Sequence, residues 1–162
     1  MSRAIDVIRD EHRSMASVLK ALQSQLAAVR AGTAEPDWPL YEAMLDYLQA
    51  FPEVMHHPKE DQFLFAALRG RHAPASAVIE ALEGEHAQSA ADLKQLVSLV
   101  RGARSGGSIE AFADALDRYA QFLWKHMETE EQVVIPMARE HLTNDDWAAI
   151  DAAFDANRQP RW

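Results

Sequence analysis

Apolar residues recur every three or four positions along nearly the whole chain. Between about Arg3 and Ala31, Ile5, Ile8, Met15, Leu19, Leu22, Leu26 and Val29 form one stripe, the spacing of a single helix face. Gly32, Pro36 and Pro39 in GTAEPDWP supply a stop and a loop. A second stripe, from near Leu40 to about Arg71, runs through Leu45, Leu48, Phe51, Met55, Phe63, Ala67 and Leu68. Kinks are predicted at Pro52 and Pro58, because proline removes a backbone donor and crowds the carbonyl four residues earlier. A third helix, about Ala75 to Ala103, uses Ile79, Leu82, Leu93, Leu96, Val97 and Val100 and ends at RSGGS. The fourth opens on Ser108 as N-cap and follows Ile109, Phe112, Leu116, Tyr119, Leu123, Val133, Val134 and Met137 to about His141, with a bend predicted at Pro136. Thr143 as N-cap, acidic Asp145 and Asp146, and the series Trp147, Ile150 and Phe154 predict a short fifth helix over one face or end. The expected fold is all-α: an up-down-up-down four-helix bundle with a short C-terminal fifth helix, one domain over residues 1–162.

Each long stripe is interrupted by histidine. His12 lies between Ile8 and Met15, and His86 between Leu82 and Leu93. His56 and Glu60 are one turn apart in the second helix, as His126 and Glu130 are in the fourth, in phase with core positions. Counting residues from the helix ends places all six side chains in one layer, their depths spanning roughly 9 Å at about 1.5 Å rise per residue. A single histidine on an apolar face is ordinarily a core residue satisfied by one hydrogen bond. Four at one height, with two carboxylates, are another matter, since each buried polar group left unsatisfied costs about 1 to 3 kcal/mol and charged ones more. A bound cation removes that cost.

Composition narrows the cation. The chain has no cysteine, so any metal is held by nitrogen and oxygen. Six such donors are too many for one zinc and too rich in imidazole for calcium or magnesium, whereas two transition ions fit. On this reading His12 and His56 serve one ion, His86 and His126 the other, and Glu60 and Glu130 bridge, as carboxylates do in bundle di-iron sites. A net charge of −9 and no basic run argue against nucleic acid. No apolar stretch is long enough for a membrane span, and the charged start MSRAIDVIRDEHRS is unlike a signal peptide, so a cytoplasmic location is expected.

These residues resemble the hemerythrin-like, or HHE cation-binding, domains. The resemblance rests on DEH ending at His12, HHPKEDQFLF at 56–65, GEH ending at His86, HMETEEQVVIP at 126–136 and REHLTNDDWAAIDAAF at 139–154. It implies two iron ions joined by an oxo or hydroxo bridge, with reactivity toward dioxygen or nitric oxide. One position departs: oxygen-carrying hemerythrins have a second histidine one turn after the first in helix 3, where this chain has Ala90. The remaining set looks more like bacterial relatives linked to nitrosative stress, iron-centre repair or iron sensing.

Several positions stay open at this point. His57, turned by the kink at Pro58, is the alternative to His56 as a donor, with Asp61 as its partner. His72 reads as a loop residue and His141 as a cation opposing a helix-end dipole. Glu11, Glu85 and Glu131 flank the donors; solvated surface charge is their default, and orienting an imidazole the alternative. Trp38 and Trp162 could mark a contact surface. The function expected is binding or sensing of dioxygen, nitric oxide or iron, the alternative being an oxidoreductase acting on peroxide, nitric oxide or ferrous iron. A metal-free interaction bundle is the third class.

Overall fold

The computed structural model describes residues 2–158, and these are helical almost throughout, with no strand among them. Helix α1 spans Arg3–Arg30 and α2 Trp38–Ala50. The second run continues through a π-helical turn, Pro52–His56, the short α3, His57–Lys59, a second π turn, Glu60–Phe65, and α4, Ala66–Arg71. A 3-10 turn, Ala73–Ala75, leads into α5, Ser76–Arg104. Helix α6, Ile109–Thr129, passes through the π turn Glu130–Val134 into α7, Ile135–His141. Helix α8, Asn144–Asp155, ends in a 3-10 turn, Ala156–Arg158. The all-α class is as expected. In place of four regular helices there are three long runs, one bent run at 38–71 and the short C-terminal helix. No helix among the described residues is long and apolar enough to cross a membrane.

The ends follow local chemistry. Asp37 accepts from the Leu40 amide and Ser108 from the Ala111 amide, so each caps its helix. Helix α1 closes with Gly32 at φ 70° and a bond from the Thr33 amide to the Ala28 carbonyl. Gly106 at φ 97°, with Gly107 bonded to Gly102, closes α5 in the same way. Both glycines occupy the left-handed region that side chains resist.

Thr143 caps α8 as expected and with Asp146 forms a capping box, and Asp146 also takes two bonds from Arg71, at 2.8 and 3.1 Å. The Arg71 guanidinium and the Thr143 donors hold the Asp146 carboxyl well below its ordinary value of 3.8. A depressed carboxyl stabilises the fold above its unfolded-state value, and that contribution fades as pH falls through the folded one. Asp146→Asn is therefore expected to melt below the wild type at neutral pH, with the gap narrowing below about pH 4. Thermal melts across that range check this.

The π turns explain where the second stripe departs from expectation. Buried Pro52, His56, Glu60, Leu64 and Leu68 step by four. In an α-helix each such step drifts by roughly 40°, or about 160° over the series. The wider turns absorb that drift; the first begins at Pro52, where the ring removes a backbone donor, and the second starts two residues after Pro58. At the first turn the Phe51 carbonyl accepts from both Met55, at 2.9 Å, and His56, at 3.1 Å. The shifted phase brings His57 and Phe65 inward beside His56 and Leu64, and leaves the expected core residue Phe63 37% exposed. In the fourth run the distortion precedes Pro136, and Val133 likewise turns outward. Trp38 is half-buried and packs edge-on against Tyr41. Trp162 lies outside the described residues.

Packing proceeds between neighbours: α1 against α2, α6 and α8, and α5 against α2 and α6. The apolar interior is divided. One cluster gathers Met15, Leu19, Leu45, Leu48, Leu93, Leu96, Leu116 and Leu123. The other gathers Ile5, Ile8, Leu64, Phe65, Leu82, Val134, Ile150 and Phe154. Along every run the histidines fall between a residue of one cluster and a residue of the other, so a buried polar layer crosses the molecule.

Candidate metal centre

Helix α1 supplies His12, the bent run His56, His57 and Glu60, α5 His86, and the fourth run His126 and Glu130. All seven side chains are buried, with His56 and Glu60 at 0% exposure. Donor atoms of His12, His56, Glu60 and Glu130 lie within 4.8 Å of one another, and so do those of His57, Glu60, His86 and His126. The six side chains singled out in the sequence thus meet in one layer. His57 joins them in addition to His56, which corrects the expectation that one would replace the other. Its ring stacks on His86, with centroids 4.1 Å apart and planes inclined by 13°. Position 90 is half-buried Ala90, and the fifth imidazole comes instead from His57 of α3, between the two π turns of the bent run.

The two central carboxylates each face both groups. Glu60 Oε1 is 3.0 Å from His56 Nε2 and 3.8 Å from His12 Nε2, while Oε2 is 3.4 Å from His86 Nε2. Glu130 Oε2 is 3.2 Å from His12 Nε2, and Oε1 is 3.1 Å from His126 Nε2 and 3.6 Å from His86 Nε2. These contacts are close enough for charge attraction. Even so, all four of these oxygens and the Nε2 atoms of His12 and His56 lack an aligned hydrogen bond.

A second ring of carboxylates fixes the imidazoles. The Nδ1 of His12 is 2.8 Å from Glu131 Oε1, that of His56 2.6 Å from Glu11 Oε2, that of His86 2.8 Å from Asp61 Oδ1 and that of His126 2.7 Å from Glu85 Oε2. Glu11, Glu85 and Glu131 therefore orient rings rather than serving as plain surface charge. Asp61 pairs with His86, not with His57 as expected. Beside His57 stands Glu53, absent from the sequence reading: its Oε1 is 3.4 Å from His57 Nδ1 and accepts from Ser89 at 2.6 Å. Glu131, Glu11, Asp61 and Glu85 each come from another run, so no spacing within one helix reveals them, whereas Glu53 stands one turn before His57, a spacing that the sequence did offer. His72 and His141 stack on each other, centroids 3.8 Å apart, and are not part of the layer.

The electrostatics follow from this arrangement. Burial pulls His56 down, but Glu60 and Glu11 outweigh it and raise the imidazole to about 9. Burial likewise opposes charge on His86, yet Asp61, Glu130 and Glu60 push it up to about 12. His12 and His126 are also raised against their burial, chiefly by Glu130. His57 goes the other way, pushed down by burial with Glu53 in opposition. Burial and Glu60 act to raise Glu130, but His126 and His12 hold it below the usual carboxylate range.

Once a cation displaces the second proton, each neutral imidazole donates Nδ1–H outward and presents an Nε2 lone pair inward. The lining is then imidazole nitrogens and carboxylate oxygens, all acceptors, and a cation satisfies every one of them. His86 Nε2 and His126 Nε2 are 3.0 Å apart. That is about the separation of two donors set at right angles around an ion with bonds of about 2.1 Å. The donor set, all nitrogen and oxygen and rich in imidazole, suits first-row transition ions.

No functionally curated protein matches this sequence closely enough to lend it an activity. A family model, described as the hemerythrin HHE cation-binding domain, matches residues 3–138, a span that takes in all seven buried side chains of the layer, and the chain belongs to that family.

Proposed function

We propose that this chain is a cytoplasmic, single-domain di-iron protein that binds or senses dioxygen or nitric oxide, its runs forming an up-down-up-down four-helix bundle closed by the short α8. His12 and His56 would hold one iron, His57, His86 and His126 the other, with Glu60 and Glu130 shared. The observation that carries this reading is the division of each central carboxylate, whose two oxygens face different histidine groups. A carboxylate serving one ion has no need of that arrangement.

When bound, the irons would supply redox-active positions at which a small molecule can be held. The protein does the rest. Glu131, Glu11, Asp61 and Glu85 keep four Nε2 lone pairs aimed inward, and the apolar clusters on either side exclude water. The two groups are unequal, three imidazoles against two, so the His12 and His56 side leaves more positions for an outside ligand. A surface pocket of about 330 Å³, lined by His12, Ala16, Trp124, Met127 and Glu131 among others, lies against the outer side of His12. It is large enough for a diatomic or for peroxide.

Rapid mixing of the reduced, iron-loaded protein with dioxygen, nitric oxide and peroxide tests the proposal. A stoichiometric, reversible optical change with dioxygen or nitric oxide is the expected result. Repeated consumption of peroxide or nitric oxide in the presence of an electron donor would make the protein an oxidoreductase instead. Failure to take up stoichiometric iron would end the di-iron reading.

A further inference from the structure

The family match stops at residue 138, yet the chain beyond it touches the candidate centre. Phe154 of α8, fully buried, sets its ring edge-on to the His56 imidazole with centroids 6.2 Å apart. In the turn that follows, Asn157 Nδ2 donates to Glu11 Oε1 at 2.9 Å and to the Met55 carbonyl at 3.3 Å. Asn157 Oδ1 accepts from the Lys59 ammonium. The second oxygen of Glu11 takes the Nδ1–H of His56 at 2.6 Å.

Glu11 is 7% exposed, so little water reaches its carboxylate, and the Asn157 amide satisfies the oxygen that His56 does not use. An amide suits this place because it donates and accepts at once. Nδ2 meets a carboxylate while Oδ1 meets an ammonium, and an aspartate here would set carboxylate against carboxylate. The result is a directed chain from Lys59 through Asn157 and Glu11 to His56.

We infer that Asn157 is a positioning residue for His56, acting through Glu11, and that the C-terminal turn thereby completes one of the two ion sites. The inference rests on the reading of His56 as a ligand. Without the Asn157 donor, Glu11 turns to find another partner and the His56 ring loses its fixed direction. Both Glu11 and Phe154 address His56, so the defect falls on the ion of the His12 and His56 group and spares the other.

The test compares wild type, Asn157→Ala, Asn157→Asp and Arg3→Ala in the full-length chain. Arg3 pairs with Asp155 at 2.8 Å, so its loss loosens α8 without touching Glu11. Two readouts are needed: release of each iron equivalent to an excess chelator, and hydrogen exchange at His56 Nδ1 in the metal-free protein by nitrogen NMR. Both Asn157 variants are expected to release one equivalent about 10-fold faster and the other at the wild-type rate, by the known reach of groups that orient ligands. In the metal-free protein they speed exchange at His56 alone, while Arg3→Ala behaves as wild type in both readouts. Asn157 variants that match wild type would overturn the inference. So would Asn157 variants that speed both equivalents alike, or an Arg3→Ala variant that matches them, since either would mark a simple latch. If wild type takes up no iron, the metal reading fails, and exchange at His56 still decides whether Asn157 orients the ring.

Discussion

On the proposed di-iron reading, Glu60→Gln is expected to weaken binding of both irons by about 100-fold or more, so that the desalted protein retains little of either. Glu60 is the side chain common to both donor groups, and its oxygens lie 3.0 Å from His56 and 3.4 Å from His86. Removal of a group that merely orients a ligand costs 10- to 100-fold in affinity, and loss of a shared ligand costs at least that on each side. Glutamine keeps the shape, so the packing of Leu64 and Phe65 is undisturbed. What changes is the charge, together with an NH2 donor that now faces the other nitrogens. His12→Ala is the contrasting variant, since His12 belongs to one group only. It should lower occupancy on its own side and leave the His57, His86 and His126 side loaded. Metal analysis and the optical spectrum read both, and retention of two irons by Glu60→Gln would refute the bridging role.

Stripping the metal is the second large effect. An ion that binds only the folded state stabilises it by about 4 kcal/mol when present at roughly 1,000 times its dissociation constant. In a domain of this size each kcal/mol moves the melting temperature by about 2 to 4 °C, so the metal-free protein should melt roughly 8 to 16 °C lower. It should nevertheless fold. The two apolar clusters do not depend on the ion, and within the polar layer raised imidazoles and lowered carboxylates neutralise one another. Circular dichroism should show helix content near that of the loaded protein, with only the transition displaced. Identical melting with and without chelator would show that no ion is coupled to folding.

The phase of single helices was readable from residue order because it is a local property. Ile8, His12 and Met15 share a face whatever they pack against, and likewise Leu123, His126 and Glu130. Caps at Ser108 and Thr143 were readable for the same reason, since the bonds they make span three residues. The height of the donors could be counted because the rise per residue is constant in a helix. The misjudged positions were those where the helix is not α. Phe63 and Val133 read as core on a regular period, and the π turns carry them outward while drawing His57 in.

The amino-acid order by itself therefore determined the helices, their ends and the six side chains that share one buried layer, all consequences of geometry within a few residues. Tertiary structure alone decided that His57 adds to His56, that Asp61 serves His86, and that Asn157 reaches Glu11 across 146 residues of chain. Those contacts join different runs, and which of two adjacent side chains turns inward depends on how each run is bent by its neighbours. No repeat along a single helix carries that information.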